Sequence, residues 1–159
     1  MNFDQAFTKL LGAEGGYTCN AADKGGETNW GISKRSYPNI DIKALTQDQA
    51  KSIYMHDYWQ PLQLELLPVE VRYDLFDAAV NSGNRQAVKF LQKAAGVLDD
   101  GILGKITLAA CTNTPGYVLS ARFNGHRLQF MSALPAWDQF SRGWANRIAK
   151  NLIGDDNGS

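Results

Sequence analysis

Apolar side chains recur at helical spacing along most of the chain, and this pattern restricts the fold more than any other feature. They return every three or four positions, and prolines and glycines separate one periodic segment from the next. The pattern predicts helices over about 3–13, 46–58, 68–82, 85–95, 106–111, 117–134 and 137–153. We therefore expect a mainly helical protein.

Several helix ends carry recognisable start and stop signals. Thr46-Gln47-Asp48-Gln49 fits a capping box, in which the first and last side chains bond each other's backbone N–H. Pro68 suits the first position of a helix, and Asn84 can cap the helix that follows. Gly96 is a typical terminator. These signals predict short connections between successive helices.

A glycine-rich stretch near the N-terminus breaks the helical pattern. The turn signal Lys24-Gly25-Gly26-Glu27 separates two extended stretches, 17–19 and 28–32. Alternate residues of a strand share a face, so Trp30 should lie on the same face as Thr28. We expect a small β-hairpin here, inserted between helices.

Composition excludes several classes of protein. Sixteen basic residues balance sixteen acidic ones, which argues against a general nucleic-acid binder. Cys19 and Cys111 are too few for a disulfide framework, and His56 and His126 are isolated, so no metal site is expected. No apolar run approaches the roughly 20 residues of a membrane-spanning helix, and residues 1–11 lack the apolar core of a secretion signal. We expect a protein without a leader or a membrane anchor.

Glu14 is the sharpest candidate for chemistry. It follows the first predicted helix, directly before Gly15-Gly16. The negative end of the helix dipole should raise the pKa of a carboxyl group there. A carboxylic acid that keeps its proton at neutral pH can protonate the leaving oxygen of a glycoside. The alternative is an ordinary exposed glutamate near a helix end.

Asp23 and Thr28 are the next candidates. A second carboxylate can activate or orient a water molecule, or stabilise the positive charge that develops on the sugar, and a hydroxyl can help to hold that water. As alternatives, Asp23 is a residue of the glycine-rich turn and Thr28 an ordinary strand residue.

Aromatic and amide side chains could contact a saccharide. Tyr17, Trp30 and Tyr58 offer flat rings against which sugars stack, although core packing is the alternative. Asn81 ends an apolar helix, where it could donate to a substrate carbonyl or hold Asp23. Alternatively, it satisfies nearby backbone groups.

These residues occur in a combination that resembles a known family. The run Glu14-Gly15-Gly16-Tyr17 and the run from Asp23 to Ser33 are similar to the active-site segment of glycoside hydrolase family 108, which comprises phage endolysins and secretion-linked N-acetylmuramidases. The order also resembles the Glu, eight residues, Asp, five residues, Thr pattern of phage-type lysozymes, although here four residues precede Thr28. Residues 100–107 resemble a region labelled as predicted to bind peptidoglycan.

The resemblance implies a mainly α, lysozyme-like fold with a small N-terminal β-hairpin lobe and a cleft between that lobe and the helical body. Residues 1–95 would form the lysozyme-like catalytic region. Residues 96–153 would be a C-terminal helical region packed into the same compact domain, and 154–159 a disordered tail.

The implied activity is cleavage of the β-1,4 bond between N-acetylmuramic acid and N-acetylglucosamine in peptidoglycan. Glu14 would be the general acid, Asp23 would position or activate water, and Thr28 would assist. The implied substrate contacts are Tyr17, Trp30, Tyr58 and Asn81. Neither a metal nor an organic cofactor is needed, because protonation and charge stabilisation suffice for this reaction.

Three alternatives stay open: a lytic transglycosylase, a non-catalytic peptidoglycan-binding module, and a muramidase that assists secretion rather than phage lysis. The expected partner is the glycan strand, not nucleic acid, and the protein is expected to be a monomer. Residues 118–153 hold five basic side chains and one acidic, so they are either solvated helix faces or a weak contact with the anionic envelope. We expect the protein to stay in the host cytoplasm until its release to the wall.

Overall fold

A computed structural model describes residues 1–12, 16–19 and 26–154. Its α-helices are α1 (Phe3–Leu11), α2 (Gln47–Tyr54), α3 (Val69–Ser82), α4 (Asn84–Ala95), α5 (Lys105–Asn113), α6 (Gly116–Ser132) and α7 (Trp137–Ile153). The strands are β1 (Thr18–Cys19), β2 (Glu27–Asn29) and β3 (Ile32–Ser33). The predicted fold class, mainly helical with a small N-terminal sheet, is confirmed.

The chain forms two compact units. The N-terminal unit is Asn2–Pro61 and contains α1, the three strands, α2 and a π-helix at Met55–Trp59. The C-terminal unit is Leu62–Ser159 together with Met1. It contains α3 to α7, preceded by a short 3₁₀ helix at Leu64–Leu66.

Aromatic rings join the helices of the N-terminal unit. Phe3 lies edge-on to Trp59 with ring centres 5.3 Å apart, and Phe7 contacts Tyr54 at 5.6 Å. All four side chains are buried. Burial of apolar and aromatic surface is the main force that holds such a unit together, so α1 is fixed against the segment that runs from α2 into the π-helix.

The sheet has β2 in its centre, and both of its pairings are antiparallel. Thr28 of β2 lies opposite Thr18 of β1 and opposite Ser33 of β3. Asn29, the last residue of β2, pairs with Ile32, and both are buried. The predicted hairpin is therefore present as β1 and β2, with a third strand added.

The prediction of one continuous strand over residues 28–32 is wrong. The chain reverses at Trp30 and Gly31, whose φ angles are 52° and 77°. Two successive positive φ angles are the mark of a type I′ turn, the tight connection that suits the twist of paired strands. Trp30 therefore lies in a turn and does not share a strand face with Thr28.

The capping box at the start of α2 is confirmed. The backbone N–H of Gln49 donates to the Thr46 hydroxyl at 3.2 Å, and the Thr46 N–H donates to the Gln49 amide oxygen at 2.9 Å. The α-helical part ends earlier than predicted, at Tyr54, because the last turn widens into the π-helix. The bond from the Gln60 N–H to the Met55 carbonyl, 2.9 Å long, has the i to i+5 spacing of that wider helix.

The C-terminal unit is a bundle in which α3, α4 and α6 pack against one another and α7 packs against α6. Phe76, Phe90 and Phe123 are fully buried in it, and Phe90 also meets Phe130 with ring centres 5.3 Å apart. Gly96 ends α4 as predicted, with its N–H bonded to carbonyls of the last turn.

Two predicted helix starts shift by one residue. Pro68 is the N-cap of α3 rather than its first helical residue. Gly83 is the N-cap of α4, and Asn84, which was predicted to be the cap, is its first helical residue. No side-chain cap bond is formed at either start. No helix in the described part of the chain is both long and apolar enough to cross a membrane.

Candidate active site

The two predicted carboxylates, Glu14 and Asp23, lie outside the described residues. In the chain, residue 14 comes between α1 and β1, and residue 23 comes between β1 and β2. Their roles stay predictions. The other five predicted site residues are described, four in the N-terminal unit and one in the C-terminal unit.

Thr28 belongs to a row of hydroxyl groups that crosses the sheet. Residues that lie directly opposite each other on paired strands share a face, so Thr18, Thr28 and Ser33 share one. The opposite face carries the buried Asn29 and Ile32. Thr28 is thus half-buried on the less covered face of the sheet, between two other residues that carry hydroxyl groups.

Tyr17 contacts a carboxylate that the sequence interpretation had assigned to a turn. Its hydroxyl donates to the Glu27 carboxylate at 2.8 Å, and this hydrogen bond is the main cause that raises the pKa of Tyr17. The Tyr17 side chain is still 39% exposed. Glu27 is the first residue of β2 and lies on the sheet face opposite to Thr28, and its bond to Tyr17, rather than the local turn signal, identifies it as a neighbour of the candidate site.

Trp30 is held in place by two hydrogen bonds from different parts of the unit. Its indole N–H donates to the Leu45 carbonyl at 3.0 Å, and its own carbonyl accepts from the Tyr54 hydroxyl at 3.3 Å. The side chain is half-buried. The indole N–H is therefore already engaged within the protein, which leaves the ring faces of Trp30 as the part of the side chain available for other contacts.

Asn29 is a residue that the sequence interpretation missed. Its side-chain amide donates to the carbonyls of Ile42 and Leu45 at 3.0 and 3.1 Å, and the side chain is buried. These bonds tie the sheet to the segment before α2. Asparagine is uncommon in strands, and that was the one signal by which this role could have been suspected.

Tyr58 lies in the π-helix beside a cluster of polar groups. Its ring centre is 5.8 Å from that of Tyr54. Next to it in the chain, the Asp57 carboxylate accepts from the Tyr37 hydroxyl at 2.6 Å and lies 2.7 Å from Nδ1 of His56. Burial raises the pKa of Asp57, but these two hydrogen bonds outweigh it and bring the pKa below its usual value. Asp57 thereby anchors the π-helix to the segment after β3.

Four predicted residues are therefore parts of one unit, joined through the sheet and through Tyr54, which bonds Trp30 and contacts Tyr58. Asn81 belongs to the C-terminal unit, near the end of α3. Its amide donates to the backbone carbonyl of Asp77 at 2.6 Å and to the Asp77 carboxylate at 3.2 Å. This local bond corresponds to the alternative that Asn81 satisfies nearby backbone groups.

Asp77 belongs to a largely buried set of polar side chains between α3 and α6 that the sequence interpretation also missed. We call this set, Asp74, Asp77, Ser120 and Arg127, the seam. The Asp77 carboxylate lies 2.6 Å from the Arg127 guanidinium, and both side chains are almost completely buried. Arg147 of α7 lies 3.7 Å from the same carboxylate. Asp74 lies one turn earlier on α3, and its carboxylate accepts a hydrogen bond from the Ser120 hydroxyl of α6 at 2.5 Å. Burial raises the pKa of Asp74 to about 6.

Among the described residues, two surface depressions can be compared with the predicted site. One, of about 390 Å³, lies between residues 40–45 and α2 in the N-terminal unit. The other, of about 320 Å³, is lined by residues 82–89 at the start of α4. None of the predicted site residues is among their described lining residues. No group of three or more His, Cys, Asp or Glu side chains suited to a metal ion occurs in the parts of the chain that are described.

The chain is similar in sequence to a known protein family and in structure to a solved protein. Residues 7–83 match the family model Glycosyl hydrolase 108. The structure of SagA from Brucella abortus is similar to this chain with a TM-score of 0.85 and 32% sequence identity, over 95% of this chain and 91% of that one. No curated protein matches the sequence. The segment matched by the family model contains every predicted site residue.

Proposed function

The chain belongs to the glycosyl hydrolase 108 family, and from that membership we propose that it cleaves the β-1,4 bond between N-acetylmuramic acid and N-acetylglucosamine in peptidoglycan. Membership makes glycoside hydrolysis the class of activity and supports a glycan such as peptidoglycan as the substrate. The observation that carries the proposal is the likeness to a solved structure over 95% of the chain, joined to a family match over residues 7–83.

Glu14 is the proposed general acid. Breaking a glycosidic bond requires a proton on the leaving oxygen while positive charge develops on the sugar ring. A carboxyl group at the C-terminal end of a helix meets the negative end of the helix dipole, which favours its protonated form. The chain order supports this position, because residue 14 follows α1 closely.

Asp23 and Thr28 are proposed to act on the water molecule that the hydrolysis consumes. Asp23 would position or activate it, and Thr28 would assist from the central strand of the sheet. The hydroxyl row of Thr18, Thr28 and Ser33 supports this role, because hydroxyl groups both donate and accept hydrogen bonds.

Tyr17, Trp30, Tyr58 and Asn81 are proposed substrate contacts. The first three are exposed or half-buried aromatic side chains in the same unit, and their orientations are held by hydrogen bonds or ring contacts. For Asn81, the bond to Asp77 engages the amide nitrogen, so its part in binding would fall to the amide oxygen. The protein is proposed to act as a monomer, and basic side chains of α6 and α7 to make weak contacts with the anionic envelope.

The general acid can be tested by one substitution. Glu14→Gln keeps the shape of the side chain and removes the acidic proton, so clearing of a purified peptidoglycan suspension should slow by about 10²–10⁴-fold. Glu65→Gln is the matched control, because the Glu65 side chain is 62% exposed and its 3.4 Å ion pair with Arg72 is at the surface, so this change should leave clearing unchanged. Full activity of Glu14→Gln would reject Glu14 as the acid.

A third variant separates the two glutamates of the segment. If Glu27→Gln abolished clearing while Glu14→Gln did not, the acid would be the glutamate that Tyr17 contacts.

Mass spectrometry of the released fragments tests which reaction the protein catalyses. Reducing muramic acid ends support hydrolysis, whereas anhydro-muramic ends would identify a lytic transglycosylase. Binding to walls without released fragments would identify a binding module.

A further inference from the structure

Three large aliphatic side chains of the C-terminal unit point into solvent within nine residues of chain. Leu98, Ile102 and Ile106 are 79%, 68% and 78% exposed. Single exposed apolar residues are common on proteins, whereas several in one short segment are typical of an interaction site. We call these three residues the aliphatic surface.

The segment that carries them is fixed by a buried glutamine. The side-chain amide of Gln92 donates to the Asp100 carboxylate at 2.8 Å, to the Ile102 carbonyl at 3.0 Å and to the Thr107 hydroxyl at 3.2 Å. Its oxygen accepts the Gly101 N–H at 2.8 Å. Three of these bonds go to the loop and one to α5, and a buried side chain with this many bonds holds the loop in a single conformation. The exposure of the aliphatic surface is therefore built into the fold.

A row of cations borders the aliphatic surface. Arg85, Lys89 and Lys93 are spaced four residues apart and so follow one face of α4, and Lys105 is the first residue of α5. Arg85, Lys93 and Lys105 are exposed and Lys89 is half-buried. We call these four residues the basic strip.

Contacts show that the strip and the aliphatic surface are continuous. The Arg85 side chain lies so close to Gly101, next to Ile102, that a Cβ atom at Gly101 would collide with it. Lys93 Nζ lies 3.6 Å from the Asp99 carboxylate, next to Leu98. The two aspartates of the loop, Asp99 and Asp100, offset part of this charge, so the four cations of the basic strip leave a net charge of about +2 beside the aliphatic surface.

We propose that the aliphatic surface and the basic strip together bind the surface of an anionic lipid bilayer. Leu and Ile side chains enter the boundary between headgroups and acyl chains, and lysine and arginine attract the phosphates of anionic lipids. The side chains are aliphatic, which suits hydrocarbon, whereas stacking on sugar rings calls for aromatic side chains. Such binding would hold the protein beside its membrane whatever bond it cleaves, so the inference does not rest on the proposed reaction.

The test is co-sedimentation of the full chain with lipid vesicles. The protein should bind vesicles that contain roughly one-third phosphatidylglycerol in phosphatidylcholine, bind pure phosphatidylcholine at least tenfold more weakly, and dissociate as salt screens the charges. The variant L98S/I102S/I106S should bind the anionic vesicles at least tenfold more weakly. Each neutralised lysine in K89Q/K105Q should weaken binding by about fivefold.

The matched control is L66S/V69S, in the short 3₁₀ helix and at the start of α3, where the two aliphatic side chains are also 62% and 48% exposed. This variant should bind like the parent, and circular dichroism melts of all variants should coincide, since none of the altered side chains is buried. Equal binding to neutral and anionic vesicles, no binding at all, or unchanged binding by L98S/I102S/I106S would overturn the proposal. So would a parent dimer that this variant converts to a monomer, or a loss by this variant of binding to lipid-free cell walls.

Discussion

Gly31 links the β2–β3 turn to the aromatic cluster of the N-terminal unit. Its φ of 77° lies in the region that glycine adopts most readily, and a Cβ atom added there would collide with the Tyr54 hydroxyl. That hydroxyl also donates to the Trp30 carbonyl, and burial raises the pKa of Tyr54 to about 12, so it stays protonated and able to donate. The position of Trp30 therefore depends on a glycine that permits close approach.

Gly31→Ala should lower the free energy of unfolding by about 2 kcal/mol or more. Roughly 1–2 kcal/mol of this comes from a side chain at positive φ, and the collision with Tyr54 adds to it. Urea unfolding followed by tryptophan fluorescence measures the loss.

Tyr54→Phe provides the control, because it removes the oxygen that the new Cβ atom would meet. In the Tyr54→Phe background, Gly31→Ala should cost only the part that comes from backbone strain, about 1–2 kcal/mol. An identical cost in both backgrounds would show that Tyr54 does not restrict this position.

Helices α3 and α6 are joined by polar as well as apolar contacts. Asp74 and Asp77 follow one face of α3, and Ser120 and Arg127 follow one face of α6, with two residue pairs in direct contact. Removing one partner of such a buried pair leaves the other without compensation, which is costly in a medium of low polarity. The seam therefore favours one register of α3 against α6.

The seam predicts a pH-dependent stability. Burial raises the Asp74 pKa from its ordinary value of 3.8 to about 6 in the folded protein, so the folded state holds this proton over a pH range in which the unfolded state has lost it. The stabilising contribution is complete below about pH 4 and is lost as the pH rises through 6. Relative to Asp74→Asn, the unfolding free energy of the parent should fall by roughly 2–3 kcal/mol between pH 4 and pH 7.

Urea unfolding at several pH values measures this difference. Asp138→Asn, which removes an exposed carboxylate from α7, is the matched control and should leave the slope of the parent unchanged. Parallel pH profiles for the parent and Asp74→Asn would contradict the prediction.

Across the whole molecule, the C-terminal unit joins segments that are distant in the chain. Phe90 of α4 packs against Phe123 and Phe130 of α6, and α3 also packs against α6. Residues 1–95, predicted to be the catalytic region, therefore include α3 and α4 but not the helix that covers them.

A fragment of residues 1–95 should leave α3 and α4 unprotected, because their buried faces lose α6. Hydrogen exchange measured by mass spectrometry should show amides of residues 69–95 protected in the full chain and exchanging at least 10²-fold faster in the fragment. Equal protection in both would show that α3 and α4 are stable without α6.

Local features were predictable and long-range ones were not. The capping box joins Thr46 and Gln49, which are three residues apart, so the residue types at these two positions suffice to predict it. The turn at Trp30 lacked the usual Asn-Gly or Asp-Gly signal, and it is held by Tyr54 from a helix far along the chain. Likewise, Asp77 and Arg127 are 50 residues apart, and no local pattern indicates that they pair.

The same distinction applies to the candidate site. Glu14, Asp23 and Thr28 could be nominated from residue type, spacing and family resemblance, because those are properties of a contiguous segment. That Glu27 meets Tyr17, and that Asn29 bonds the segment before α2, follows only from strand register and packing. Helical periodicity and capping depend on neighbours in the chain, which the order of residues contains. Contacts between distant segments depend on which faces are buried together, and those faces meet only in the folded protein.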